Sequence, residues 1–239
     1  MNNFLGNLPP VVKNLLIINL VCFFGTMIYE PANQLFGVYY PDSPKFRIWQ
    51  PITYMFMHGG FTHLLFNMLA LVMVGSMLEG LFGAKRFLNY YLICALGALA
   101  LQYGVQAVEV SQIMGTPLAK SLMTYSRDIA AYVPYNYNGM EIEDVRTAVG
   151  IYNTPMVGAS GAIFGLLLAL AYFYPNMPMY FMFVPIPIKA KYLVGAYLVY
   201  EIYSGFNNPG SSIAHLAHVG GALFGYILIK TWGYKKGYY

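Results

Sequence analysis

Five polar side chains lie within apolar stretches of this sequence, at positions where their chemistry is complementary. Ser160 stands among small residues in "GASGAIFG", His215 and His218 lie in "AHLAHVGGALFGY", and His63 and Asn67 lie in "HGGFTHLLFNMLAL". An imidazole beside a serine hydroxyl can remove its proton and later protonate a leaving amine. The Asn67 amide, a His63 N–H and backbone N–H groups around Ser160 can stabilise a tetrahedral oxyanion. The residue types predict acyl transfer by a nucleophilic serine.

Helical spacing indicates how these side chains are brought together. His63 and Asn67 are four residues apart, which places both on one face of a helix. Small residues recur at the same spacing in two other segments, at Gly161 and Gly165 and at Ala217, Gly221 and Gly225. Such ladders allow membrane helices to approach closely. We expect this contact to bring the imidazole of His218 to Ser160, although the glycines also fit simple packing.

The composition predicts that these segments are membrane helices. Of 239 residues, 58% are hydrophobic and 9% are charged, and the mean hydropathy is +0.53. A bilayer-spanning helix needs about 20 mostly apolar residues. We predict an all-α integral membrane protein with a single domain over residues 1–239. Its six predicted transmembrane helices cover about 11–30, 61–82, 86–108, 157–174, 190–206 and 213–232.

The loops predict the orientation. If six spans alternate, one side carries most of the basic residues, namely Lys13, Lys85, Arg86, Lys189, Lys191, Lys230, Lys235 and Lys236. Positive charge favours the cytoplasmic side, so both termini are predicted inside. The opposite side then holds a long outer loop over 109–156, for which a short surface helix is possible. The polar residues of the second, fourth and sixth spans are expected at similar depth near the outer face.

Other classes of function fit the sequence less well. The basic residues form no dense cluster of the kind that binds nucleic acid. His63, His215 and His218 could ligate a metal or haem iron, but no Cys, Asp or Glu completes a set and no HExxH motif is present. We therefore predict no metal and no cofactor. Glu79, near the inner end of its segment, is expected to make a structural bond to a loop.

Together the motifs resemble the rhomboid family of intramembrane serine proteases. The matching stretches are "HGGFTHLLFNMLAL", "GASG" and "AHVGG", in that order on the second, fourth and sixth predicted spans. The resemblance implies a six-helix bundle in which Ser160 is the nucleophile and His218 its base, as a dyad without a carboxylate. It also implies an oxyanion hole made by His63, Asn67 and the backbone N–H of Ser160.

The resemblance assigns supporting positions and shows two departures. Supporting roles are expected for Gly158, Gly161, Phe164 and Gly221. Family members often have Tyr where this chain has Phe164, so ring stacking on His218 is retained without a hydroxyl. Members also often carry Trp-Arg in the first outer loop, where this chain has Trp49 and Gln50. A salt bridge from that arginine to the glutamate corresponding to Glu79 is therefore not available.

By resemblance, the expected substrates are single-span membrane proteins, cleaved at a small residue in an easily unwound helix within the lipid bilayer. The family also implies that the fifth span and the 206–212 loop act as a moving gate. The expected location is a bacterial cytoplasmic membrane. The alternative is a non-catalytic rhomboid-like protein that binds membrane proteins and controls their quality.

Overall fold

Helices occupy each of the six apolar segments. The structure is a computed structural model that describes residues 4–137, 139–180, 186–207 and 214–234. The corresponding helices are α1 (Pro10–Ile28), α2 (Phe61–Phe82), α3 (Ala84–Met114), α5 (Ser160–Phe173), α6 (Ala190–Asn207) and α7 (His215–Thr231), and α4 (Ile142–Asn153) lies in the predicted outer loop. Helices α1, α2 and α3 are long and apolar enough to cross a membrane. That all six segments cross it stays a prediction.

Two small β-hairpins show that the prediction of an all-α fold was incomplete. Strands β1 (Met123–Ser126) and β2 (Ala131–Pro134) pair antiparallel, as do β3 (Pro178–Tyr180) and β4 (Pro187–Lys189). Their three- and four-residue lengths are too short for a clear alternating pattern. Short helical turns occur at Phe4–Asn7, Ala32–Phe36, Gln50–Thr53, Tyr54–Phe56 and Lys120–Leu122, and Leu71–Gly75 is a π-helical turn within α2. The fold is predominantly helical.

Helix α3 is longer than the sequence predicted. It continues through residues 109–114, which were assigned to the outer loop, and ends at Gly115. Gly115 has φ +76° and its N–H donates to the carbonyl of Ser111, which is the left-handed C-cap that glycine favours. The polar composition after residue 108 therefore does not end the helix, and the left-handed glycine does.

Helices α3, α5 and α7 form the centre of the molecule, where close backbone contacts depend on glycine. A side chain at Gly221 of α7 would overlap the carbonyl oxygen of Gly161 in α5. The expected contact between these two helices is therefore present. However, side chains at Gly161 and Gly165 would meet Ala98 and Cys94 of α3. The small residues thus allow a three-helix contact and not just a contact between the fourth and sixth segments.

The segment between α3 and α5 is fastened to the first loop through Asp42. Its carboxylate accepts hydrogen bonds from the Lys120 N–H at 2.6 Å and the Tyr152 hydroxyl at 2.7 Å. Burial, followed by this carboxylate, raises the pKa of Tyr152. Ser43 adds a bond to the Tyr152 carbonyl at 2.7 Å. Tyr152 at the end of α4 is therefore a fixed anchor for the long segment.

Glu79 and Gln50 lie at opposite ends of α1, so a salt bridge between these positions is prevented by their separation and not only by the residue type at position 50. The Glu79 carboxylate accepts from the backbone N–H groups of Val11 and Val12 at 3.0 and 2.8 Å, in the first turn of α1. These N–H groups have no partner within the helix, so an acidic side chain satisfies them. Gln50 instead donates to the Leu35 carbonyl beyond the other end of α1. No side chain at position 50 can pair with Glu79.

Candidate active site

Ser160 is the first residue of α5, whereas the sequence placed it a few residues inside the helix. Gly158 has φ +129°, a backbone conformation that keeps the helix from beginning earlier. The first intrahelical bond of α5 runs from the Ile163 N–H to the Ala159 carbonyl. The N–H groups at the start of a helix have no intrahelical acceptor and carry its positive dipole end. Ser160 is thus set where backbone N–H groups can meet a developing negative charge.

The segment before Ser160 is held by backbone hydrogen bonds that no sequence motif predicts. The Gly158 N–H donates to the Tyr54 carbonyl at 3.0 Å. Met156 and Val38 exchange two backbone hydrogen bonds, at 2.8 and 2.9 Å. The Tyr54 hydroxyl in turn donates to the Ala95 carbonyl of α3 at 2.6 Å. These contacts fix the chain that enters α5.

The imidazole of His218 lies beside the Ser160 hydroxyl. His218 is the fourth residue of α7, and its Nε2 is 2.9 Å from Ser160 Oγ. The ring of Phe164, one turn after Ser160, stacks on the imidazole with centroids 4.3 Å apart and planes inclined by 6°. The geometry allows proton transfer between Oγ and Nε2 and restricts the ring to one plane.

His63 also reaches this place, from the third position of α2. A side chain at Gly158 would come within 2.8 Å of His63 Cε1 and 3.5 Å of Ser160 Oγ, so the imidazole and the serine are close neighbours. Asn67 lies one turn further along the same helix and is buried. Within the described ranges its Nδ2 has no hydrogen-bond partner. A buried amide donor is costly to leave unpaired, so this N–H is available for a group that arrives during function.

His215 does not face Ser160, because it is turned towards a residue that the sequence reasoning missed. Its Nδ1 lies 2.7 Å from Oε2 of Glu201 in α6, and Nδ1 of His218 lies 2.9 Å from the same oxygen. Glu201 is 2% exposed. A carboxylate inside an apolar segment was a signal that could have identified it.

His58 is a buried neighbour of the site in the loop before α2. Its ring centroid is 5.1 Å from that of His63. Burial, followed by the neighbouring His63, lowers the pKa of His58 to about 4, and a backbone contact with Phe56 opposes the shift. This imidazole is therefore neutral near pH 7.

The serine opens into a small cleft. Its volume is about 20 Å³, and it is lined by residues that include Tyr54, Gly158, Ser160, Ala214 and His218. This volume is on the scale of one water molecule. Among the residues that the structure describes, no group of three or more His, Cys, Asp or Glu side chains is arranged to hold a metal ion. Taken together, the side chains and backbone groups around Ser160 can offer a nucleophile, a base and several N–H donors to a reactant.

Comparison with known proteins points to one family. The family model described as Rhomboid domain matches residues 45–235. Rhomboid protease AarA of Providencia stuartii is 25% identical over 229 residues, which cover 90% of this chain and 69% of AarA. Rhomboid protease GluP of Bacillus subtilis (strain 168) is 27% identical over 189 residues, covering 79% of this chain and 27% of GluP.

A plant relative, RHOMBOID-like protein 12, mitochondrial, of Arabidopsis thaliana, is 24% identical over 215 residues, which cover 89% of this chain and 55% of the relative. The chain spans about a quarter of GluP and about half of the plant protein. The apolar helices and the family match together mark an integral membrane protein. Because the family model covers most of its length, this chain belongs to the rhomboid family.

Proposed function

We propose that this protein is an intramembrane serine protease that cleaves transmembrane segments of other membrane proteins. The observation that carries the proposal is the 2.9 Å contact between Ser160 Oγ and His218 Nε2, with Phe164 stacked on the imidazole. The names of the two bacterial relatives, both rhomboid proteases, support the same activity. The proposal includes that residues 1–239 form a single domain that crosses the membrane six times.

In the first half of the reaction, Ser160 Oγ forms a bond to the carbonyl carbon of the scissile peptide while its proton passes to His218 Nε2. The tetrahedral intermediate then loses its C–N bond, and His218 gives the proton to the leaving amine. In the second half, His218 removes a proton from water as the water oxygen attacks the acyl carbon. The ester C–O bond breaks and the proton returns to Ser160.

The oxyanion of each tetrahedral intermediate is assigned to the N–H of Ser160 and the side chains of His63 and Asn67. The helix terminus at Ser160 favours negative charge there. The unpaired Nδ2 of Asn67 supports its role as a donor. One preorganised side-chain donor of this type contributes about 3–4 kcal/mol to the stabilisation of a transition state.

The supporting positions act through shape. Gly158 leaves space for the His63 ring, and Gly161 and Gly221 allow α5 and α7 to touch, which sets the distance between nucleophile and base. Phe164 holds the plane of the His218 imidazole.

The substrates are proposed to be single-span proteins. A bacterial cytoplasmic membrane, with both termini inside and the site near the outer face, is the proposed location. The proposed gate loop, 206–212, lies mainly outside the described residues.

A cleavage assay in liposomes tests the proposal. The protein is reconstituted with a fluorescently labelled single-span membrane protein that carries a small residue near the membrane surface. Wild type and the control Ser76→Ala, which alters a hydroxyl buried in α2 outside this site, should cleave it without added metal. Ser160→Ala and His218→Ala should not. Cleavage by Ser160→Ala at the wild-type rate would refute the protease mechanism, and binding without cleavage by wild type would favour the non-catalytic alternative.

A further inference from the structure

A buried carboxylate in α6 contacts the far side of the imidazole that faces Ser160. Oε2 of Glu201 lies 2.9 Å from His218 Nδ1 and 2.7 Å from His215 Nδ1. Placing a charged carboxylate in an apolar bundle is costly unless it is paired. Glu201 meets this condition through two imidazole nitrogens that approach the same oxygen.

The chemistry of these contacts favours one set of proton positions. When Glu201 is ionised, its carboxylate only accepts hydrogen bonds, so both Nδ1 atoms then carry the hydrogen. A neutral His218 with hydrogen on Nδ1 has its lone pair on Nε2, and this is the atom that lies 2.9 Å from Ser160 Oγ. The opposite tautomer would turn an N–H towards the hydroxyl and could not accept its proton.

We propose that Glu201 is a positioning residue that holds His218 in the tautomer and orientation in which Nε2 is the base for Ser160. The site is then a Ser–His–Glu arrangement, not a dyad. This inference rests on the proposed function. The carboxylate also lies next to the imidazolium that forms when Ser160 loses its proton, so its effect is larger in the transition state than in substrate binding.

Three helices supply this arrangement: α7 carries the ring of His218, and α5 and α6 restrain it in different ways. Helix α5 supplies Ser160 at Nε2 and Phe164 against the ring face, and α6 supplies Glu201 at Nδ1. Among the described residues, the ionisable groups around His218, Glu201 and their neighbour His215 include Tyr197 and Tyr200 on α6 and His63 on α2. The group that contacts Nδ1 of His218 is the Glu201 carboxylate.

Kinetic measurements on liposome-reconstituted protein test the role. Glu201→Gln keeps the size of the side chain but removes its charge, and we expect kcat to fall by at least about 10-fold with KM unchanged. Glu201→Asp keeps a carboxylate and should give a kcat between those of Glu201→Gln and wild type. The control Glu109→Gln removes a half-buried carboxylate of α3 outside the site and should retain kcat. Wild-type kcat in Glu201→Gln would overturn the inference, as would an equal loss in His215→Ala, which spares the contact between His218 and Glu201.

Solid-state NMR of wild-type protein with ¹⁵N-labelled histidine gives a readout that does not need turnover or a folded Glu201 variant. The resonances that disappear in His218→Ala should show a protonated Nδ1 and an unprotonated Nε2. A proton on Nε2 of the neutral ring would contradict the positioning role even if Glu201→Gln fails to fold. Loss of cleavage in Ser160→Ala, measured in parallel, keeps the proposed function separate, because it is expected whether or not Glu201 has this role.

Discussion

Two buried asparagines allow a structural polar residue to be distinguished from one that we propose to act in catalysis. Asn67 in α2 and Asn19 in α1 are 5% and 0% exposed. Nδ2 of Asn19 donates to the Leu15 carbonyl at 2.7 Å, whereas Nδ2 of Asn67 has no partner in the described part of the chain. Asn67 is assigned to the oxyanion, so its hydrogen bond is expected to form during the reaction and not in the resting fold.

The change to alanine therefore has opposite consequences at the two positions. Both substitutions remove the same atoms, so their packing losses are similar and the difference lies in the hydrogen bond. Asn19→Ala loses a bond worth about 1 kcal/mol of folding free energy. Asn67→Ala loses no resting bond of Nδ2. Each substitution also removes one buried atom without a partner among the described residues, Oδ1 of Asn19 or Nδ2 of Asn67, so these contributions largely cancel. We expect Asn67→Ala to be the more stable variant by about 1 kcal/mol.

Activity should show the reverse order. Removing one side-chain donor from an oxyanion hole costs about 2.7–4 kcal/mol, or about 10²–10³ in kcat. Asn67→Ala should show this loss, and Asn19→Ala should retain kcat. The assay is cleavage of a labelled membrane substrate in liposomes, together with thermal unfolding of both variants in detergent. A kcat for Asn67→Ala within about 3-fold of wild type would refute the oxyanion assignment.

Three further predictions follow from single contacts. His58 should make stability fall on acidification, because its pKa is about 4 in the fold and near 6.5 when unfolded, so the unfolded state binds more protons between these values. The loss of unfolding free energy is at most about 3 kcal/mol. It should be absent when thermal unfolding of His58→Gln is measured against pH. An equal pH dependence in wild type and His58→Gln would contradict this prediction. Gly221→Ala should abolish cleavage because its methyl group would separate α7 from α5. The control Gly195→Ala should remain active, since its methyl group would meet open space. An active Gly221→Ala would contradict the close contact between α5 and α7. Glu79→Gln should lose about 1–3 kcal/mol of stability at the start of α1 with kcat retained, and reduced kcat in the folded variant would show that its role is not merely structural.

The residues of the site could be predicted from sequence because each lies in a short motif with helical spacing. Motifs of that kind also placed His63, Ser160 and His218 on three different helices, and the structure brings these side chains together in the first turns of those helices. Helix starts were less predictable. Ser160 begins α5 because of the backbone conformation at Gly158, which the apolar pattern does not encode.

Long-range pairing accounts for what the sequence could not predict. Glu201 was visible as a carboxylate in an apolar segment, but nothing in its spacing indicates that it meets two imidazoles of another helix. The bonds that hold Gly158 and Met156 are made by backbone groups, which any residue can supply. The partner of Glu79 is likewise a helix terminus 67 or 68 residues away, so the expectation of a loop contact identified the kind of role but not the place.

The central claim, that His218 makes Ser160 a nucleophile, is tested most directly by locating a covalent adduct. The protein in liposomes is treated with a fluorophosphonate probe, digested and analysed by tandem mass spectrometry. We expect phosphonylation at Oγ of Ser160 in wild type, with the labelling rate sharply reduced in His218→Ala and retained in Ser76→Ala. An adduct on another residue, or equal labelling of Ser160 in wild type and His218→Ala, would contradict the account.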